Sequence, residues 1–490
     1  MAKYRGRIEG ANRMKVAVGL DIGTTSVSCV AVAENGQQLA TVTAAHDAAL
    51  KSLSAGHVEQ DPAELWNVAA ECLSQCVGAL RDPVAGIGVT GQMHSTVLLD
   101  SASQPLSPVI TWQDQRASVG NPSHLHELLA ELDSEQMEGT GCRLSPGFMG
   151  TTLYSLGRSN SLPAGLQSVS FVADWIVAQL TGTDPVTDRT HAASSGLYDL
   201  RADCWSESLL LHAGVNDNWL PQVRPTGEIA GNLQDGILLY GGDGHKIPVC
   251  TAIGDHQAAV LSTLSGEDTG SLLINIGTGG QVCWRAPTFL LREGLEVRSL
   301  PAEDLSQPGE FIQVGAGLCG GAEFSWLAET LERLSADLGS PVSRASIWKQ
   351  LTGYTALADT GLTCEPYFFG TRPEPHRRGL LSQIDSSNLT VHGIASAVAR
   401  GIADSMRELS IAEEAGPKQV CMSGNASRSI PLLRLAVEES FGLPVRVVAV
   451  KEEAATGAAL LAGTAVGLWP GLSAARNSLK SGNNRETPDD

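Results

Sequence analysis

The chain has 490 residues, of which 42% are hydrophobic and 18% are charged, a composition typical of a folded globular protein. This length allows roughly two to four domains. Lys and Arg total 33 and Asp and Glu total 53, so the formal net charge is −20. That balance argues against nucleic acid or an anionic membrane as a partner, but it allows a phosphate ligand at a locally positive site.

The cysteines and the apolar runs indicate the compartment. Ten cysteines are scattered along the chain without a C-x-x-C pair. This distribution is typical of a reducing compartment, so we expect a cytoplasmic protein without a zinc site. No run of about 18 apolar residues predicts a membrane span. Residues 1–13 are basic and lack the apolar core of a signal peptide, so we interpret them as an extension before Met14.

The first predicted elements are two or three strands within residues 14–45. Between the first two lies "DIGTT", which places Asp21, Gly23, Thr24 and Thr25 at a hairpin tip. An ordinary tight turn would use the same residue types. The tip would also offer N–H groups and hydroxyls to a phosphate, and Asp21 could hold Mg²⁺ through water.

Helices and strands then alternate, which indicates an α/β architecture. The predicted elements up to residue 264 are a helix over 61–80, a strand at 84–91, a strand near 108–112, helices over 122–140 and 168–181, and a strand and helix within 247–264. Asp61 and Pro62 are typical of a helix start, and Gly182 of a helix end.

Polar and aromatic residues follow two of these strands. The segments "GQMH" and "WQDQR" supply Gln92, Met93, His94, Trp112, Asp114 and Arg116. A single such residue is more often structural. However, ligands of α/β sheets bind at the carboxyl ends of strands, and flat apolar surface beside donors and acceptors suits a polyol. We therefore predict that these six residues bind the substrate.

Asp255 and His256 lie where the strand within 247–264 passes into its helix. An Asp at this position is often a helix N-cap. Alternatively, Asp255 could accept the proton of a substrate hydroxyl as a general base, with His256 beside it in the substrate site.

The pattern begins again after residue 265. "NIGTGG" places Gly277, Thr278, Gly279 and Gly280 between two apolar runs, and so repeats the first hairpin roughly 250 residues later. The repeat predicts a second phosphate-binding turn. It also predicts a first domain over residues 1–265 and a second over 266–490, with a cleft between them.

The second half carries further predicted nucleotide contacts. Strands are predicted at 270–284 and 311–315, and helices near 321–338, 390–415 and 429–441. Gly320 and Gly321 open the first of these helices. The turn "SGNAS" supplies Ser423, Gly424 and Asn425, on which a flat adenine could lie, although plain turn chemistry explains the same residues. The small residues of "EEAATGAA" (452–459) are expected beside the adenine.

Together these motifs resemble the FGGY family of carbohydrate kinases, in the actin-like ATPase superfamily. The match runs from about Val16 to Gly463 and includes "TDRTHAASSGLYDL" (187–200), which is similar to the family's T-D-x-x-x-A-S stretch. The resemblance implies two actin-like (ribonuclease H-like) domains with a central cleft. It also implies ATP and Mg²⁺ as cofactors, Asp255 as the catalytic base, ATP binding at the two turns and Asp21 at the metal.

Within the family, "GQMH" with "WQDQR" is similar to ketose kinases, first sedoheptulokinases and then xylulokinases. This resemblance implies transfer of phosphate from ATP to the terminal hydroxyl of a ketose, with a small sugar as partner and a homodimer as one open oligomeric state. The alternatives are another FGGY polyol kinase, or an actin-like ATPase that acts as a chaperone or sensor.

Overall fold

The structure is a computed structural model that describes residues 13–238, 246–264, 270–307, 309–317, 319–370, 376–410 and 416–483. The extension interpreted before Met14 therefore lies almost wholly outside the described residues. Among the described helices, none is both long enough and apolar enough to cross a membrane.

The strands are β1 (Val16–Ile22), β2 (Ser26–Ala33), β3 (Gln38–Ala45), β4 (Glu59–Gln60), β5 (Val84–Gly91), β6 (Val97–Leu99), β7 (Val109–Ile110), β8 (Ser168–Ser170), β9 (Val186–Asp188), β10 (Tyr198–Asp199), β11 (Cys204–Trp205), β12 (Gln222–Arg224), β13 (Ile229–Asn232), β14 (Pro248–Cys250), β15 (Ile253–Gly254), β16 (Ser271–Ile276), β17 (Gly280–Ala286), β18 (Glu296–Leu300), β19 (Glu310–Gly317), β20 (Thr363–Glu365), β21 (Leu380–Ser382), β22 (Gln419–Ser423) and β23 (Val445–Val447). The helices are α1 (Pro62–Gly78), α2 (His124–Glu131), α3 (Ser134–Glu138), α4 (Met149–Arg158), α5 (Val172–Thr181), α6 (Arg189–Ala193), α7 (Glu207–Ala213), α8 (Asp255–Thr263), α9 (Gly321–Asp337), α10 (Arg344–Gly353), α11 (Val391–Ser410), α12 (Asn425–Ser429), α13 (Pro431–Phe441), α14 (Glu453–Ala465) and α15 (Leu472–Asn483).

Residue contacts divide the chain into two units. The first comprises Met1–Ser265, Ser299–Gly309 and Val450–Asp490, and the second comprises Gly266–Arg298 and Glu310–Ala449. The predicted boundary at 265/266 coincides with one of these divisions. The units differ from the predicted domains because the chain returns to the first unit at 299–309 and again at 450.

The first unit is built on a seven-stranded sheet in the order β13-β14-β5-β1-β2-β3, with β15 also paired to β5. The strand β1 is antiparallel to β2 and parallel to β5, and β5 is parallel to β14 and β15. Because β1, β5 and β15 run in one direction, the residues that follow them meet at one edge of the sheet.

Both faces of β1 are buried, which explains its nearly continuous apolar sequence. Val16, Val18 and Leu20 pack in a core with α1 and α5, whereas Ala17 packs in a second core with α14 and α15. The alternation follows from the two-residue period of a strand.

The predicted helix signals of this unit are confirmed at both ends. The side chain of Asp61 accepts from the N–H of Ala63 and caps α1, with Pro62 in its first turn. Gly182 ends α5 in the left-handed conformation, with φ of 68°.

Two predicted helices have different bounds. The helix predicted over 122–140 is two helices, α2 and α3, because Leu132 is extended and Asp133 caps a new helix. The helix predicted over 168–181 begins later, at Val172. Residues 168–170 form strand β8 instead, which pairs with β6.

The second unit contains a six-stranded sheet in the order β18-β19-β17-β16-β22-β23. Here β16 and β17 form the predicted antiparallel hairpin, and β16 is parallel to β22. The apolar side chains of β16 pack with α9, α11 and α13 in one core. The described part of the helix predicted over 390–415 ends at Ser410, because residues 411–415 lie outside the described residues.

The small residues of α14 allow it to pack directly on the first sheet. A Cβ added to Gly19 on β1 would lie 1.8 Å from the carbonyl oxygen of Ala455, and one added to Gly457 would lie 1.8 Å from that of Ala258 on α8. The expectation that "EEAATGAA" lies beside the adenine stays a prediction. The segment joins β1 and α8 in the first unit.

We expect Gly457→Ala to destabilise the protein, even though alanine favours a helix by roughly 0.5–1 kcal/mol over glycine. The new methyl group would separate α14 from α8, and overpacking costs about 1–3 kcal/mol or more. The control is Gly157→Ala, because Gly157 is also helical and its Cβ would meet no atom within 4 Å. Thermal unfolding should show a lower Tm for Gly457→Ala only, and equal Tm values would contradict the packing account.

Candidate active site

Three side chains hold the tip of the first hairpin. Gln60 donates from Nε2 to the carbonyl oxygen of Thr24 at 2.7 Å, and Trp112 donates from Nε1 to the Thr24 hydroxyl at 3.1 Å. His46 Nε2 lies 3.2 Å from the carbonyl oxygen of Gly23. Because the Thr24 hydroxyl accepts from Trp112, its own proton can be donated to a phosphate oxygen. Thr25 is exposed at the same tip.

Asp21 lies at the carboxyl end of β1, in register with Thr90 of β5. Its Oδ1 atom is buried and has no hydrogen-bond partner among the described residues. Burial, followed by the negative charges of Asp255 and Glu452, raises the pKa of Asp21 from 3.8 to about 8. Asp255 and Glu452 therefore lie close enough to Asp21 to disfavour its ionised form.

A cation bound by Asp21 would favour its ionised form and so offset the effect of burial on its pKa. Within the described ranges, no three His, Cys, Asp or Glu side chains form a group that could hold a metal ion by themselves. Mg²⁺ bound with a nucleotide keeps several waters and takes other ligands from phosphates, so it needs only one or two protein carboxylates. The buried, unpartnered Oδ1 of Asp21 fits such an ion.

Asp255 is the first residue of α8, and Gly254 is the N-cap. Asp255 is therefore not the helix N-cap that the sequence allowed. Its Oδ1 atom accepts from the N–H of His256 at 2.7 Å. Gly254 pairs with Gly91 on β5. A Cβ on Gly254 would lie 2.9 Å from the sulfur of Met93, so the Met93 side chain packs closely against Gly254.

Two predicted substrate residues follow β5. Gln92 donates from Nε2 to Gln60 Oε1 at 2.8 Å, and its own Oε1 is a buried acceptor without a partner in the described part of the chain. His94 stacks on Phe148, with ring centroids 4.1 Å apart, and its Nδ1 lies 2.7 Å from the Ser194 carbonyl oxygen. A carbonyl accepts a proton, so Nδ1 carries the hydrogen and Nε2 carries the lone pair of the neutral ring.

Asp114 and Arg116 are placed differently from the prediction. Asp114 is fully buried, and its oxygens accept from Arg116 at 2.8 and 2.9 Å and from the N–H of Val58 at 2.8 Å. Arg116 also bonds Glu59. The pair thus lies in the interior, whereas Trp112 is 45% exposed. This geometry favours a supporting role over the predicted contact with substrate, because both charges are already matched within the chain.

The second hairpin forms a tight turn against the start of α9. The N–H of Gly277 donates to the carbonyl oxygen of Gly279 at 3.0 Å, and the N–H of Gly321 donates to that of Gly277 at 2.8 Å. A Cβ on Gly320 would lie 2.6 Å from the backbone of Gly279, so only glycine allows the start of α9 to come this close to the hairpin. Thr278 is exposed at the tip, and Gly280 begins β17.

The turn after β22 lies beside this hairpin. Gly424 has φ of 88°, and a Cβ there would lie 2.4 Å from the carbonyl oxygen of Ile276. The hydroxyl of Ser423 is buried and unpartnered within the described residues, and Asn425 begins α12. The second unit therefore brings together the predicted phosphate turn, the Gly320–Gly321 segment and the predicted adenine turn.

The sequence analysis missed Gln60, His46 and Glu452. Gln60 and His46 are common polar residues outside any motif, and Glu452 is the first residue of "EEAATGAA". Only the tertiary structure brings Gln60 and His46 to the hairpin and Glu452 near Asp21. No pattern in the sequence alone could have indicated these contacts.

Two sheets, each with a Gly-Thr hairpin that follows a central strand, are the arrangement expected of a protein with two actin-like domains. The chain belongs to the FGGY family of carbohydrate kinases, because the model of that family's N-terminal domain matches residues 16–262 and the model of its C-terminal domain matches residues 272–466. This confirms the predicted family, the α/β fold with two actin-like domains and the kinase activity, and it favours a carbohydrate kinase over a chaperone or sensor.

Curated relatives and solved structures carry several substrate names. A glycerol kinase of Azotobacter vinelandii is 28% identical, covering 96% of this chain and 92% of the relative. The sedoheptulokinase of Homo sapiens is 27% identical, covering 91% of this chain and 97% of the relative. The structure of a xylulose kinase from Rhodospirillum rubrum is 25% identical with a TM-score of 0.80, covering 94% and 92%. The similarity therefore indicates the reaction class without selecting one sugar.

We expect Asp21→Asn to stabilise the protein without magnesium or nucleotide. The folded chain keeps the Asp21 proton up to about pH 8, whereas the unfolded chain loses it near pH 3.8, so stability falls as the pH rises through this window. The gain in Tm over wild type should therefore widen from pH 5 to pH 8.

The matched control for Asp21→Asn is Asp47→Asn, because the Asp47 side chain is 84% exposed. Differential scanning fluorimetry at both pH values should show little change for this variant. An Asp21→Asn variant that is less stable than wild type at pH 8 would contradict the assignment of Asp21 as a strained, buried carboxylate.

Proposed function

We propose that the protein transfers the γ-phosphoryl group of ATP to the terminal hydroxyl of a ketose, with sedoheptulose as the first candidate and xylulose as the second. The observation that carries the proposal is the placement of Asp255 at the start of α8, close enough to Asp21 to raise its pKa. Phosphoryl transfer to a hydroxyl requires a carboxylate that accepts the proton and, beside it, a carboxylate that binds the cation.

In this mechanism Asp255 accepts the hydroxyl proton as the substrate oxygen attacks the γ-phosphorus in line. The bond from that phosphorus to the bridging oxygen breaks, and ADP leaves. Mg²⁺, when bound, would neutralise charge on the phosphates, with Asp21 holding it through water. The hairpins at Gly23 to Thr25 and Gly277 to Gly280 would bind phosphate oxygens, with the hydroxyls of Thr24, Thr25 and Thr278 as donors, since catalysis here is mainly positioning and electrostatics.

Three predicted residues have groups suited to a sugar. Gln92 has a buried acceptor, His94 has a ring nitrogen fixed in its tautomer by Ser194, and Trp112 has an exposed indole face. Met93 adds apolar surface against Gly254. The resemblance of "GQMH" and "WQDQR" to ketose kinases supports a ketose, and the sedoheptulokinase and xylulose kinase among the similar proteins support the same class.

The choice of sugar is tested by ADP release in a coupled assay with sedoheptulose, xylulose, ribulose, gluconate and glycerol. We expect the highest kcat/KM for sedoheptulose and measurable turnover of xylulose. Glycerol kinases are among the relatives, so glycerol is the most informative competitor. Turnover of glycerol or gluconate without turnover of any ketose would overturn the proposal.

We expect Asp255→Asn to lose roughly 10²- to 10⁴-fold in kcat, which is the usual contribution of a positioned general base. ATP binding, measured by calorimetry, should be retained because the hairpins are unchanged. A near-normal kcat would remove Asp255 from the reaction and leave it as a residue of the helix start.

His94 and Asp114 should respond differently to substitution. His94→Ala should raise the ketose KM, with kcat/KM falling about five- to a hundred-fold for a lost bond of roughly 1–3 kcal/mol. Asp114→Ala should instead lower the Tm and leave KM unchanged, because breaking a buried ion pair costs about 3–5 kcal/mol of stability. An unchanged KM for His94→Ala would contradict its place in the sugar site.

A further inference from the structure

Two buried threonine hydroxyls hold the backbone immediately before Asp255. The Thr90 hydroxyl donates to the carbonyl oxygen of Ile253 at 2.6 Å. The N–H of Gly254 donates to the Thr190 hydroxyl oxygen at 2.8 Å. Both threonine side chains are almost completely buried, so water cannot replace either bond. The peptide that leads into Asp255 is therefore held by side chains from β5 and α6.

The Thr190 hydroxyl is oriented by Asp188. It donates to Asp188 Oδ1 at 2.7 Å, and that oxygen also accepts the N–H groups of Thr190 and His191 at 3.0 Å each. The other oxygen of Asp188 accepts from the Thr226 hydroxyl at 2.6 Å. Because the Thr190 proton points to Asp188, the lone pairs of its oxygen face the N–H of Gly254.

The charge of Asp188 is balanced inside the protein. His191 Nδ1 lies 3.5 Å from Asp188 Oδ1 and 3.7 Å from Asp174 Oδ1, and all three residues are fully buried. Burial acts to lower the pKa of His191, but Asp174, Asp188 and Asp255 together raise it. A protonated His191 would place a positive charge beside the Asp188 oxygen that accepts from Thr190.

We propose that Thr190, oriented by Asp188, is a positioning residue that fixes the backbone of Gly254 and thereby the carboxylate of Asp255 for phosphoryl transfer. This inference rests on the proposed role of Asp255 as the general base. It also gives a physical reason for the Thr187–Asp188 stretch of the sequence motif, whose side chains are fully buried. The bond acts through the main chain, so its loss displaces the base without removing it.

The expected effect is on kcat. A displacement of about 1 Å at a reacting group can cost on the order of 10²-fold in rate. Thr190→Val keeps the shape and removes the hydroxyl, so we expect kcat to fall about 10- to 100-fold while KM for ATP stays near that of wild type. Thr190→Ser restores the hydroxyl and should restore most of kcat.

The matched control is Thr152→Val. Thr152 is a fully buried threonine of the same unit, and its hydroxyl has no hydrogen-bond partner among the residues described. Its replacement should leave kcat unchanged. A fall in kcat for both valine variants would show a general effect of core substitution and overturn the inference.

The deciding experiment is a double-mutant cycle between Thr190→Val and Asp255→Asn. If Thr190 acts through Asp255, the valine substitution should cost about 10- to 100-fold in the wild-type background and little in the Asp255→Asn background. Equal losses in both backgrounds would overturn the inference, because a structural role would be independent of the Asp255 carboxylate.

The failure of this inference differs from failure of the proposed function. If Asp255→Asn retains normal kcat, the general base is wrong. If Asp255→Asn is impaired and Thr190→Val is not, only the positioning role is wrong.

Should Thr190→Val fail to fold, the variant Thr226→Val provides a second test, because it removes one hydrogen bond to Asp188. It should lower kcat to a smaller extent, with recovery in Thr226→Ser, and an unchanged kcat would again overturn the inference.

Discussion

The penalty on the ionised Asp21 carboxylate, which arises from burial and then from the charges of Asp255 and Glu452, is the constraint on which the proposed site depends. These carboxylates come from the end of β1, the start of α8 and the residue before α14. Burial, and after it the negative charges of Asp255 and Glu452, raises the pKa of Asp21 to about 8. Their proximity is useful only if a cation or a transferred proton reduces the negative charge.

Close packing prevents the carboxylates from separating. At Gly19 and Gly457 the chain lacks space even for a methyl group, so β1, α8 and α14 cannot move apart or slide without losing their contacts. The bonds from Thr90 and Thr190 fix the strand that leads into Asp255 in the same way. The fold therefore stores an unfavourable charge arrangement at the site and offsets it with burial elsewhere, as proteins commonly do at functional sites.

The predictable parts of the fold and site depended on local sequence. The hairpin at "DIGTT", the capped start of α1 at Asp61 and the strand-to-helix junction at Asp255 follow from apolar periodicity and turn residues. The burial of Asp114 could not be predicted, because an Asp after a strand can face either the interior or a ligand. The packing of α14 on the first sheet could not be predicted either, since it depends on contacts between residues that are far apart in the sequence.

The most direct test of the charge account is proton release when the Mg²⁺ complex of ADP binds, measured by titration calorimetry at pH 7 in buffers of different ionisation enthalpy. Because Asp21 has a pKa of about 8, it is mostly protonated at this pH and must lose its proton to face the ion. The account predicts nearly one more proton released by wild type than by Asp21→Asn. Equal proton release by the two proteins would contradict it.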